Sequence, residues 1–410
     1  MTPLEDAQEF VLGSCPPRAA RDVDRRDAGG LVLAAPIVSS EVVPPFDNTA
    51  VDGFAVRSAD LSAGEAVLRV VGEIAAGAAP DRPVEPGEAV RIMTGAPIPE
   101  GADSVVMVED SEIVDPADDG TERVRLTARP SPGSAVRRAG DDVMIGDELF
   151  PAGVRITPAI EGVLASVNAQ TVSVFPRVRV AVLSTGDELV DDGSPLEIGQ
   201  IRESNRTMLA GMLAETGCEV VDLGVVPDDE AVLEAVLRDA ATSCDAIVSS
   251  GGVSMGDYDV VKAVLGRIAD MTWMQIAIKP AKPFAFGTLS RDDGQVVPIF
   301  GLPGNPVSSL VSFELMARPA LRRMMGHPRL TRTSLVAVAD ADFSRSPDGK
   351  VHFARVNGEF GDDGRYHVRP VGAQGSHQLA ATATADAMVV LPDGDGVETG
   401  QDVAVLLLHG

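Results

Sequence analysis

Four short stretches of this 410-residue chain concentrate groups that handle anions and hard cations. Ser184-Thr185-Gly186-Asp187-Glu188-Leu189 sets two carboxylates side by side after an apolar run. Ser249-Ser250-Gly251-Gly252-Val253-Ser254-Met255-Gly256-Asp257-Tyr258-Asp259 carries three glycines and three serines ahead of a helical pattern. Such a turn offers free backbone N–H groups near a helix start, which cradles phosphate without cations. It is not a P-loop, because no Gly-Lys-Ser/Thr follows. Ile278-Lys279-Pro280-Ala281-Lys282-Pro283 holds two lysines, each in the extended backbone that precedes proline. A lysine ammonium is a compact point charge suited to an anion. Gly301-Leu302-Pro303-Gly304-Asn305-Pro306 opens another helix, with Asn305 as N-cap and Pro306 at the first helical position. Each stretch also has a plainer reading. Asp187 caps a turn and Glu188 is solvated; the lysines are loop residues; Asp228 and Asn305 only cap helices.

Taken together, the four stretches stand at expected strand ends of one sheet. They define a crevice with amide nests at Ser250, Gly251, Gly252, Ser254 and Gly256 and at Pro303, Gly304 and Asn305. Lys279, Lys282, Glu188, Asp228 and Asp259 complete it. Carboxylates without histidine or thiol are hard oxygen donors, suiting Mg²⁺ bridged to phosphate. All five histidines lie at or beyond His327, which excludes a Ser-His-Asp triad or a His-rich zinc site before it. Cys15, Cys218 and Cys244 form no CxxC pair and read as free buried thiols. Only four of the 34 basic residues are lysines, and Lys262, Lys279 and Lys282 are three of them. The net charge of −27 argues against nucleic-acid or anionic-membrane binding. No apolar run reaches the ~18 residues of a membrane span. Met1–Phe10 lacks the apolar stretch of a signal peptide, so the expected setting is the cytoplasm.

The elements that must position these groups follow from periodicity. Leu4 to about Arg26 reads as helical. Between residues 27 and 138, short β-branched runs alternate with turn residues, as in a β-rich domain. Around it, 1–26 and 139–177 read as a discontinuous linker and dimerisation domain, with a helix from Pro158 capped by Thr157. Strand and helix patterns alternate over 178–329, which predicts a parallel α/β sheet with helices on both faces. A long helix is expected over Pro306–Met325. Residues 330–410 return to five short strands with hairpin turns and no helix, as in a small β-barrel. The fold class is therefore α/β plus β, in several domains.

In order along the chain, these residues resemble the molybdopterin molybdenumtransferase (MoeA) family, which is related to the gephyrin E domain. The matching stretches are Phe46–Val56, Thr94–Asp103, 184–189, 250–259, 279–283, 302–308 and Gln374–His377. The resemblance implies an elongated homodimer whose active site is shared between subunits. It implies Mg²⁺-dependent insertion of molybdate into adenylylated molybdopterin, with release of AMP. A molybdopterin adenylyltransferase is an implied partner. Asp52, Thr94, Glu188, Asp228, Asp259, Lys279 and Lys282 are implied functional positions, with Arg355 and Ser376 added from the terminal barrel. Ala281 stands where the family usually has glycine, which matters if that residue needs positive φ. Adenylylation of molybdopterin, a scaffold role like gephyrin's and a preference for tungstate remain alternatives.

Overall fold

A computed structural model describes residues 1–114, 120–252, 260–291 and 293–409. Its centre is a six-stranded sheet over residues 179–302. The strands run in the order Glu219–Val226, Arg179–Thr185, Ala246–Ser250, Val296–Leu302, Pro283–Ser290, Asp270–Gln275. The first four are mutually parallel. The last two pair antiparallel, so the sheet is mixed. The cause is the short turn after Ser290, which can only fold back as a hairpin.

Side chains alternate across this sheet and feed two cores. Val180, Val182, Ala246 and Val248 face the helices Asn205–Thr216 and Pro306–Ser312. Ala181, Leu183, Ile247 and Ile299 face Glu230–Ser243 and Val260–Ile268. The helix that follows the 249–259 stretch begins at Val260 within the described residues. The expected Pro306–Met325 helix is one rod with a π-helical turn at Phe313–Ala317, continuing as Arg318–Met324. That turn aims Glu314 inward, with a side chain only 2% exposed. Arg332 donates to both of its oxygens at 2.7 and 2.8 Å, and Arg318 lies at 3.7 Å.

The N-terminal segment differs from its helical reading. The helix spans Leu4–Gly13 and stops before Pro16 and Pro17, and a strand follows at Arg21–Asp24. Proline lacks the N–H that would continue the helix. Leu4, Ala7, Val11 and Cys15 pack into the α/β core instead of the linker unit. Phe10 meets Phe286 edge-on, and Thr2 N–H donates to Gln275. The linker core is built from Leu31, Leu33, Ile37, Ile156, Leu164 and Val174. Its helix Pro158–Ser166 is capped by the Thr157 hydroxyl.

The β-rich domain is a six-stranded sheet in which Gly53–Val56 pairs antiparallel with Glu88–Ile92. The C-terminal strands Val351–Phe360, Tyr366–Pro370, Ser334–Ala339, Asp402–Leu407 and Ala387–Leu391 close into a barrel through the pairing of the first with the last. One pair is parallel and a short helix at Leu379–Thr382 interrupts the strands, where only hairpins were expected. Among the described residues no helix is long and apolar enough to cross a membrane. The three cysteines are buried thiols, and burial pushes Cys15 and Cys218 up to about 12.

Removing one partner of a buried ion pair strands the other charge. Glu314→Ala is therefore expected to cost about 3–5 kcal/mol, read from the urea unfolding midpoint.

Candidate functional site

The carboxyl ends of the parallel strands bring three loops together. Gly251 N–H donates to the Leu302 carbonyl at 3.1 Å. Gly251 has φ +100°, and a Cβ there would sit 3.0 Å from the Thr185 carbonyl oxygen. Only glycine lets the 250–252 turn lie this close to the end of the neighbouring strand. Ser250 is buried, and its hydroxyl accepts from Asn205 Nδ2 at 2.8 Å. The same amide donates to the Gly304 carbonyl at 2.7 Å. Asn205 thus ties two of the predicted amide nests to the first turn of one helix. It is not among the residues singled out from the sequence. Its signal was its place four residues after Ile201, on the helix that follows the Glu188 loop.

The acids of this rim divide in role. Asp187 accepts from the Asp228 N–H at 3.1 Å, so it holds a turn, as its plainer reading had it. The helix cap is Asp229, whose carboxylate accepts from Val232 N–H. Glu188 and Asp228 are exposed, and the Glu188 carboxylate lies over Gly186. Asn305 occupies the N-cap position without a side-chain cap bond. Ser254, Gly256 and Asp259 lie outside the described residues. Among those described, no group of three metal-ligating side chains converges.

The lysine loop is shared between the α/β domain and the barrel. Ile278–Lys279 leaves the α/β sheet and pairs in parallel with Val351–His352 of the barrel. The loop and the barrel enclose a cavity of about 610 Å³ that includes Lys279, Lys282, Arg355 and Ser376. Ser308, two residues into the helix behind the Asn305 loop, shares its wall. Val307 N–H donates to the Ser376 carbonyl at 3.0 Å, which joins that helix start to the barrel motif. Ala281 has φ +78°. An alanine pays roughly 1–2 kcal/mol for that conformation, and its burial shows that the methyl is packed.

The cavity's charges are unequal in availability. Arg345 is held by Asp348 and Asp393, and Lys350 by Asp348. Lys279 and Lys282 are exposed and make no ion pair among the described residues. Arg355 is 1% exposed, and its Nη1 donates to the Phe353 carbonyl at 3.1 Å. Its Nε and Nη2 are buried with no hydrogen-bond partner among the described residues. Burial draws its pKa down. An unpaired buried donor is costly, so these two nitrogens are acceptor-seeking. Gln374 fixes the Arg355 backbone from both sides, accepting from its N–H at 2.9 Å and donating to its carbonyl at 2.8 Å.

Asp52 and Thr94 meet in the β-rich domain, outside this cavity. The Gly53–Ile92 register sets them side by side. The Thr94 N–H and hydroxyl donate to one Asp52 oxygen at 2.6 and 2.7 Å. Those bonds hold the Asp52 carboxyl below its ordinary range.

Three family models match the chain in order. They are the MoeA N-terminal region (domain I and II) at 2–168, a probable molybdopterin binding domain at 181–323, and the MoeA C-terminal region (domain IV) at 337–408. A molybdopterin molybdenumtransferase of Haemophilus influenzae is 37% identical over 408 residues, covering 99% of this chain and 98% of that protein. Molybdopterin molybdenumtransferase 2 of Mycobacterium tuberculosis is 39% identical over 376 residues, 89% of each. The crystal structure of a molybdopterin biosynthesis MoeA protein from Pyrococcus horikoshii superposes with a TM-score of 0.81 at 32% identity, covering both chains fully.

Asn205→Ala removes two hydrogen bonds that hold the loops. It is expected to cost about 1–3 kcal/mol in thermal or urea unfolding.

Proposed function

The chain belongs to the molybdopterin molybdenumtransferase (MoeA) family, and on that premise we propose that it inserts molybdate into adenylylated molybdopterin. The reaction releases AMP and yields the molybdenum cofactor, the last step of its biosynthesis. The observation that carries this reading is the cavity holding Lys279, Lys282, Arg355 and Ser376. Molybdate is a doubly charged oxyanion. Two lysines without carboxylate partners among the described residues draw it in, and Arg355 offers two nitrogens with no partner among those residues. Those charges also offset the negative charge that develops as the phosphoanhydride breaks.

The amide nests at 250–252 and 303–305 hold the nucleotide-phosphate end of the substrate. Ser254 and Gly256 extend the first nest by resemblance. Glu188 and Asp228, with Asp259 as a third, would hold Mg²⁺ directly or through water. Two exposed carboxylates beside an amide nest fit an ion that binds through one or two carboxylates plus substrate phosphates. Its chemistry there is neutralisation of phosphate charge. Asp52 and Thr94 lie outside the cavity of their own chain, which supports a homodimer in which a second copy supplies them. The setting is cytoplasmic, and the adenylylated substrate is handed over by an adenylyltransferase.

Release of AMP from adenylylated molybdopterin tests the lysine assignment. The Lys279→Ala, Lys282→Ala double variant should lose about 100-fold or more. Release at the parent rate would remove molybdate capture from these lysines. Mixed refolding of Asp52→Ala chains with that double variant tests the shared site. Partial recovery of activity is expected, and none would place Asp52 outside the partner's site.

A further inference from the structure

A second cationic cavity lies away from the lysine loop, where the linker unit meets the α/β domain. It measures about 180 Å³ and is lined by Arg155, Arg177, Arg318, Arg322, Arg332 and His327. The chain as a whole carries −27, so five guanidinium groups on one small cleft are not a reflection of composition. Among the described residues two carboxylates reach them. Glu314 pairs with Arg332 at 2.7 Å and lies 3.7 Å from Arg318, and Glu215 lies 3.8 Å from Arg332. The local balance is 5 − 2, or three surplus positive charges. That surplus rests on Arg155, Arg177 and Arg322, none of which makes an ion pair among the described residues.

These three groups are held in place to different degrees. Arg177 donates to the Gly217 and Gly29 carbonyls at 3.0 and 3.3 Å. Arg322 donates through Nε to the Arg329 carbonyl at 2.8 Å, which leaves its two terminal nitrogens to the cleft. Arg155 has no hydrogen-bond partner among the described residues. A Cβ added at Gly30 would lie 3.5 Å from Arg177 Nη2 and 3.8 Å from Arg155 Nη2, so both guanidiniums converge beside a residue with no side chain. His327 feels the same field. Burial first, then Arg322, Arg155 and Arg318, push it down to about 4, so it stays neutral near pH 7.

We propose that this cleft is a second binding site, for a small tetrahedral oxyanion such as phosphate, sulfate or molybdate, and that the anion clamps the linker unit to the α/β domain. Arginine forks suit oxyanions bidentately. A cleft lined by one sign of charge focuses its potential on the space inside. The volume lies below the ~300 Å³ at which pockets for drug-sized ligands begin, which excludes a nucleotide or a pterin. The two sides of the cleft come from different domains. Arg155 and Arg177 stand on the linker side, Arg318, Arg322 and Arg332 on the other, so a bound anion crosslinks them without a covalent bond.

The test is thermal unfolding of the full chain in phosphate, sulfate or molybdate, against chloride at matched ionic strength. A ligand that binds only the folded state raises the melting temperature in a saturable way. The Lys279→Ala, Lys282→Ala double variant serves as a second parent, because the larger cavity also attracts oxyanions. The expected result is a saturable rise in both parents that falls by at least half in Arg155→Ala and in Arg322→Gln. Arg155 is exposed and unpaired, so its loss leaves the fold intact. Equal responses to the three anions mark a general oxyanion clamp, and a response to molybdate alone assigns the cleft to the family's own cargo. No rise beyond chloride overturns the proposal. So does a rise that Arg155→Ala leaves unchanged, or one that disappears in the lysine double variant.

Discussion

The larger cavity depends on one pairing, that of Ile278–Lys279 with Val351–His352 of the barrel. The chain leaves its own sheet after Gln275, and the Ala277 carbonyl accepts from Val351 N–H at 2.9 Å. From that point the lysine loop belongs to two domains at once. Arg355 lies three residues beyond His352 on the same barrel strand, so the pairing that fixes Lys279 also fixes the distance to the guanidinium. The Ser376–Val307 bond closes the third side by joining the barrel motif to the long helix. A cavity built from two domains in this way depends on how they dock.

Charge placement follows from the same architecture. An acidic surface cannot gather anions by long-range attraction, so capture has to be local. Two devices supply it. Backbone amides at the strand ends carry no net charge and cost nothing in repulsion from the acidic exterior. Cations without carboxylate partners sit in concave places, where solvent screening is weaker. The exposed ion pairs elsewhere, such as Arg238–Glu234 and Arg267–Glu230, add little to stability and serve mainly to keep arginines occupied.

Much of the scaffold was legible because strand and helix periods differ and turn chemistry punctuates them. The helix from Pro158 with its Thr157 cap and the five-stranded barrel beyond residue 330 stand where the sequence placed them, and Gly217 ends its helix in the left-handed conformation. The order of strands was not legible. Nothing local in an apolar run names its neighbours in a sheet once the connections are crossovers. The N-terminal helix was overextended because alternating arginine and aspartate at 18–26 satisfies a helical pattern as readily as a strand and a 3₁₀ turn. The lysines, glycines and acids of the site were legible by type. Their division between a strand-end rim and a barrel-lined cavity was not, because no local signal marks a two-residue strand that pairs outside its sheet.

Arg345 and Arg355 separate structural from ligand-directed charge within one barrel. Both line the same cavity. Arg345 meets two aspartates and the carbonyls of Lys350, Leu391 and Pro392, leaving only Nε without a partner among the described residues. Arg355 has one carbonyl and, among the described residues, two unpaired nitrogens at 1% exposure. Desolvating a guanidinium costs several kcal/mol unless its donors are met. A barrel that needed Arg355 only for stability would do better with a methionine of similar length. On the proposed function, the charge makes sense as a donor pair kept ready for an anion. Gln374, gripping the backbone at both its N–H and carbonyl, keeps that donor pair from relaxing toward solvent.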